Sequence, residues 1–143
     1  MAGGTRFGLQ LGPQEGNDPI ELAHRAEAAG FDVLLTGDHI GTGLSPFLTL
    51  AAVATATRSI RLGTFVAKAD LRNPVELAGD AVTLDRLSNG RFELGIGAGH
   101  TTQEYSAVGR EMQPAIARKR ALFESFEILR CLLDGEQVDF TGR

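Results

Sequence analysis

The chain has 143 residues, 43% of them hydrophobic, which suits the core of one domain; no stretch approaches the roughly 18 consecutive apolar residues a membrane span needs. Net charge is -4, and the basic residues are scattered apart from Arg118-Lys119-Arg120 on a helical stretch, so nucleic acid is not an expected partner. The lone Cys131, in the helical pattern Leu129-Arg130-Cys131-Leu132-Leu133, excludes an intrachain disulfide or cysteine metal cluster and reads as a small core hydrophobe. Met1-Ala2-Gly3-Gly4 leads into a strand-like segment rather than a signal-peptide core, and a cytoplasmic location is the expectation.

In chain order, the first apolar run, Phe7 to Leu11, predicts a buried strand. Asp18-Pro19 then starts a helix. The Asp18 side chain can accept an orphan N–H, and proline at the first helical position loses no bond. Glu21 extends this to a capping-box pattern, and the helix buries Ile20, Ala23, Ala26 and Ala29 before stopping at Gly30. Val33 to Thr36 predicts the second strand, and Ser45-Pro46 the second helix. Ile60 to Val66 predicts the third strand, followed by a helix from Asn73-Pro74, with Glu76, to the Ser88-Asn89-Gly90 turn. Phe92 to Ile96 predicts the fourth strand. The fourth helix runs from about Ala115 to Leu133, with Leu122, Phe126, Leu129 and Leu133 on one face. Gln137 to Phe140 alternates and suggests the start of a hairpin or loop insertion.

This βαβαβαβα order implies parallel strands with right-handed crossovers, because the connections are too long for hairpins. Periodicity leaves two architectures open: a doubly wound open sheet, or half of a barrel that normally takes about 250 residues. In both, ligands bind where the strands end. There the sequence places Gly12-Pro13-Gln14, Gly37-Asp38-His39, Thr64-Phe65-Val66-Ala67-Lys68, and Gly97-Ala98-Gly99-His100 followed by Glu104-Tyr105. Asp38-His39 is the sharpest pair, because a carboxylate and an imidazole at a strand end can hold a polar ligand edge and move a proton near neutral pH. The plainer alternative is that Asp38 only ties down its loop. Gly97-Ala98-Gly99 lets backbone approach a flat ring or a phosphate, but the full dinucleotide fingerprint is missing. Glu104 and Tyr105 suit a short amphipathic turn whose ring covers the core. His24, within the first helix, reads as structural. No nucleophile elbow or metal-ligand spacing occurs.

Several stretches together resemble the luciferase-like monooxygenase superfamily. They are Ala26-Glu27-Ala28-Ala29-Gly30-Phe31-Asp32, Gly37-Asp38-His39, Arg72-Asn73-Pro74, Thr83 to Phe92, Leu94 to Gly99, and Glu104-Tyr105. The resemblance covers nearly the whole chain. It implies that residues 1–143 are the N-terminal half of a (β/α)8 barrel whose rim holds coenzyme F420 or, alternatively, FMN. The cofactor supplies the redox chemistry while the protein orients it.

On that resemblance Asp38 and His39 match the F420-dependent branch, with His39 the proton donor or acceptor. A non-proline cis peptide is expected at Phe65-Val66, supporting the ring together with Thr64. Gly97, Ala98, Gly99, His100 and Gln103 would line the ring and its chain. Relatives acting on sugar phosphates carry Glu where His100 stands, which argues against that substrate class. The cofactor phosphate would dock on loops after the seventh and eighth barrel strands, beyond this chain. Expected partners are a small organic substrate and, for the uncovered inner face and edges, another copy or the other half-barrel. A non-catalytic half-barrel is the competing reading.

Overall fold

The computed structural model describes residues 4–12, 18–41, 43–139 and 141. Strand β1 (Gly8–Leu11) pairs with β2 (Val33–Thr36), β2 with β3 (Arg61–Thr64), and β3 with β5 (Phe92–Glu93), all parallel. A second parallel pair, β4 (Ala67–Lys68) with β6 (Ile96–Gly97), continues beyond the ends of β3 and β5. The third and fourth expected strands are therefore each broken in two. The third leaves the ladder at a cis Phe65–Val66 peptide, where the expected non-proline cis bond is found.

The close approach of the two broken strands explains the glycines of the fourth. A side-chain carbon at Gly95 would lie 2.3 Å from the Thr64 carbonyl oxygen, and one at Gly97 would lie 2.4 Å from Val66 Cγ2. The Thr64 hydroxyl spans the same gap, donating to Gly95 O (2.7 Å) and accepting from Gly95 N (3.0 Å).

The helices are α1 (Pro19–Ala28), α2 (Pro46–Ala56), α3 (Pro74–Leu87), a short α4 (Thr102–Ala107) and α5 (Ala115–Leu133). Asp18 and Asn73 cap α1 and α3 by accepting from the second helical residues, Ile20 and Val75, at 2.9 Å each. A capping box would use the third. Ser45 makes no side-chain cap bond. Gly30 takes φ +82°, and the Phe31 N–H reaches back to Ala26 O, closing α1 as its glycine suggests.

One cluster joins all four long helices to a single face of the sheet. Leu34 and Leu62 from the strands, Ala23 from α1, Leu50 and Val53 from α2, Leu77 from α3 and Leu129 from α5 are each at most 3% exposed. Burying a side chain of leucine size contributes roughly 1.5–3 kcal/mol, so this layer is the main driving force. Gly8, Leu35, Gly63 and Glu93 face one another on the opposite side. Helices on one face of a parallel sheet are the layout of half a (β/α)8 barrel, not of a doubly wound sheet.

The end of the sheet away from the rim is clamped by two polar side chains. Arg91 is buried and donates to the carbonyls of Ala54 (2.8 Å), Thr57 (3.1 Å), Ile60 (2.7 Å) and Ser88 (2.6 Å), tying the ends of α2 and α3 to the start of β3. Glu27 Oε1 accepts from the N–H groups of Arg58 (3.0 Å), Ser59 (2.6 Å) and Ile60 (2.9 Å).

Two sequence expectations change and one holds. Residues 136–139 form no strand, and Phe140 lies outside the described residues. Cys131 is only partly buried, because it sits on the flank of α5 rather than on the face that carries Leu129. His24 is structural as expected, its Nε2 lying 2.8 Å from Ala56 O. No helix among the described residues is long and apolar enough to cross a membrane.

Candidate active site

Strand β2 ends at Thr36, and the chain turns through Gly37 to deliver Asp38 and His39 at the rim. Asp38 turns inward. Its side chain is 1% exposed, and its oxygens accept a two-point contact from Arg72 (Nε 2.6 Å, second nitrogen 2.8 Å) and the Lys68 N–H (3.1 Å). Burial pushes its carboxyl up, but the bonds from Arg72 and Lys68 outweigh burial and hold it below the ordinary carboxylate range. With these three bonds Asp38 ties the β2 loop to β4 and the start of α3. The Arg72 guanidinium also lies 4.8 Å from the Phe47 ring centre, a cation–π contact.

His39 turns the other way. Its side chain is 40% exposed, and Nδ1 lies 2.9 Å from Glu104 Oε1. Glu104 is carried in by α4 and is buried; its other oxygen accepts from Lys68 Nζ, which also donates to the Asp38 carbonyl at 2.5 Å. Burial raises the Glu104 carboxyl, yet the bonds from Lys68 and His39 bring it below its ordinary range. Tyr105, the next residue, is 2% exposed, as a ring covering the core should be. Its hydroxyl donates to Asp70, with Ala98 O 3.3 Å away. Burial, then the Asp70 carboxylate, push that hydroxyl up to about 12, so it stays a donor.

The other expected site residues fall into two groups. Phe65 is 59% exposed at the break in the third strand, His100 and Gln103 are exposed, and Ala98 and Val66 are half-buried. Thr64 is buried, with its hydroxyl hydrogen-bonded to Gly95. Glycine is required at 97 and 99 by close neighbours: a side-chain carbon would lie 2.4 Å from Val66 Cγ2 at Gly97 and 2.6 Å from the Tyr105 hydroxyl at Gly99, whose φ is +67°. Pro13 and Gln14 lie outside the described residues.

Three contributors escaped the sequence reading. Lys68 and Glu104 were noticed only as rim residues, and nothing local signals that residues 36 apart form a buried pair. Gln10 was overlooked. A carbon built on Gly37 would lie 3.2 Å from His39 Nε2 and 3.6 Å from the Gln10 amide nitrogen, so Gly37 leaves open the space between them. Its signal was available: Gln10 is the polar residue between Leu9 and Leu11, on the face opposite the leucines.

The rim thus presents a half-exposed imidazole with a fixed back, next to an exposed aromatic side chain and a primary amide. A flat heteroaromatic ring with one polar edge suits this combination. A groove of about 340 Å³ between Leu94, Ile96 and the α5 residues Phe126, Leu129 and Leu133 includes none of these rim side chains.

A parallel half-barrel with a polar cluster at its strand ends defines an α/β-barrel type of protein. Residues 4–143 match the luciferase-like monooxygenase family, and the chain belongs to it. It is 38% identical over 144 residues to a 4-hydroxyprotoasukamycin monooxygenase of Streptomyces nodosus subsp. asukaensis, covering 92% of this chain and 38% of that protein. It is 35% identical over 141 residues to an F420-dependent glucose-6-phosphate dehydrogenase of Amycolatopsis mediterranei, covering 93% and 41%. The solved structure of the coenzyme F420-dependent tetrahydromethanopterin reductase of Methanopyrus kandleri superposes with a TM-score of 0.78 at 28% identity, covering 96% of this chain and 42% of that one. The chain spans about two-fifths of the length of these relatives.

Proposed function

We propose that this chain supplies half the site of an F420-dependent oxidoreductase that moves a hydride to or from a small organic substrate, with His39 exchanging the accompanying proton. The observation that carries the proposal is the His39 imidazole, half open at the strand ends while its Nδ1 is held by the buried Glu104 carboxylate. Such a ring can take or give a proton without losing its orientation. Two relatives bear names that specify F420 dependence, which supports this choice of cofactor.

When bound, F420 carries the hydride on its deazaflavin ring. The chain's residues would do the rest. Phe65, exposed, would offer an apolar surface, the half-buried Val66 and Ala98 would border the ring, and the exposed His100 and Gln103 would provide polar groups for the cofactor's substituents. Asp38 holds the loop that bears His39, through Arg72 and Lys68. A second reading, FMN-dependent oxygenation at the same rim, is favoured by the monooxygenase relative at 38% identity.

Titration of the protein with F420 and with FMN, followed by cofactor fluorescence, tests the proposal. Selective F420 binding, weakened about tenfold in His39→Ala, is the expected outcome. Preference for FMN would transfer the assignment to the second reading. Binding of neither, whether by this half or by a full barrel that includes it, each folded by circular dichroism, would overturn both.

A further inference from the structure

We infer that Lys68 and Glu104 are positioning residues that choose which nitrogen of His39 works: Nδ1 carries its proton toward Glu104, and Nε2 is left as the nitrogen that meets the ligand. This rests on the reading of His39 given above and refines it to an atom.

The geometry supports each step. Glu104 accepts from Lys68 Nζ on one oxygen and lies 2.9 Å from His39 Nδ1 on the other. An ionised carboxylate has no hydrogen to give, so the group facing it at Nδ1 must be N–H. In a neutral imidazole, a proton on Nδ1 leaves the Nε2 lone pair free to accept. Among the described residues none hydrogen-bonds Nε2. That edge of the ring lies over the bare Cα of Gly37, on the side of Gln10.

Lys68 is needed because a carboxylate alone would not stay in place. The Glu104 side chain is 6% exposed and the Lys68 side chain 4%, so neither has water to turn toward. Lys68 Nζ is itself anchored on the Asp38 carbonyl at 2.5 Å, one residue before His39. The loop that bears the imidazole and the carboxylate that orients it therefore hang on one amine. Without that amine, Glu104 would lose its strongest partner and rotate, and the ring would lose its preference between the two neutral forms.

The test is a nitrogen-15 NMR measurement of the His39 ring in the chain without cofactor, at a pH where the ring is neutral. The wild type should favour the Nδ1–H form by about tenfold or more, as a charge-assisted bond implies. Lys68→Met and Glu104→Ala should each bring the two forms to within about threefold, and Lys68→Arg should restore part of the preference. Should Lys68→Met fail to fold, Glu104→Gln replaces it: Lys68 would hold the amide oxygen and turn the amide N–H toward Nδ1, so the preference should reverse to the Nε2–H form. An Nε2–H form in the wild type would overturn the inference, as would an unchanged preference in folded Glu104→Ala. The experiment needs no cofactor, so failure of the F420 assignment and failure of this inference are read separately.

Discussion

The Glu104 carboxylate and the Lys68 amine meet inside the protein, 36 residues apart in the chain, and their pairing docks α4 against β4. The same pair sits directly behind His39, so the docking of a short helix and the orientation of an exposed imidazole are one event. Neighbouring contacts of this kind can be ranked by how unequally their partners are buried.

Asp38 and Arg72 give such a ranking. The Asp38 side chain is 1% exposed and that of Arg72 27%. Removing Arg72 strands a buried carboxylate, whereas removing Asp38 leaves a guanidinium that can reach water. Arg72→Ala should therefore destabilise by about 3 kcal/mol or more and Asp38→Ala by roughly 1–3 kcal/mol. Urea denaturation measures both, and the opposite order would contradict the assigned geometry.

Glu27 should leave a signature in acid. Burial raises its carboxyl, but the N–H groups of Ile60, Ser59 and Arg58 outweigh this and hold it at about 2, against an ordinary 4.5. A carboxyl depressed by folding binds fewer protons folded than unfolded. Its contribution is thus fully present above the ordinary value and is lost as pH falls toward about 2. Glu27→Gln should lower stability near neutrality and flatten the acid slope. Parallel slopes for the two proteins across that window would refute the role of the clamp.

Two glycines should respond in opposite directions. At Gly95 an added carbon would press on a backbone oxygen at 2.3 Å, which cannot swing aside, so Gly95→Ala should cost about 2 kcal/mol or more. At Gly79, inside α3, a carbon meets nothing within 4 Å. Gly79→Ala should stabilise by about 0.5–1 kcal/mol through helix propensity. Thermal melts of the two variants, recorded side by side, provide the comparison.

The sequence made the frame legible because the frame is written locally. Proline after Asp18, Ser45 and Asn73 marks three helix starts, and the short apolar runs mark the strands, since both signals depend on neighbours within a turn or two. The rim was legible as a location and not as a mechanism. The tie between Asp38 and Arg72 was not visible, because 34 residues separate them. Glu104 looked like part of an amphipathic turn because its partners lie 36 and 65 residues upstream. The break in the fourth strand was not read from Phe92 to Ile96, although the glycines at 95 and 97 are what the crossing requires.

The breaks in the third and fourth strands separate two tasks. The ladder of β1, β2, β3 and β5 carries the hydrophobic layer, while the short ribbon of β4 and β6 carries Lys68 and the glycine turn leading to His100. Side chains at the mouth thus stand on a short ribbon distinct from the ladder that carries the hydrophobic layer, and the register of that ladder does not depend on their identity.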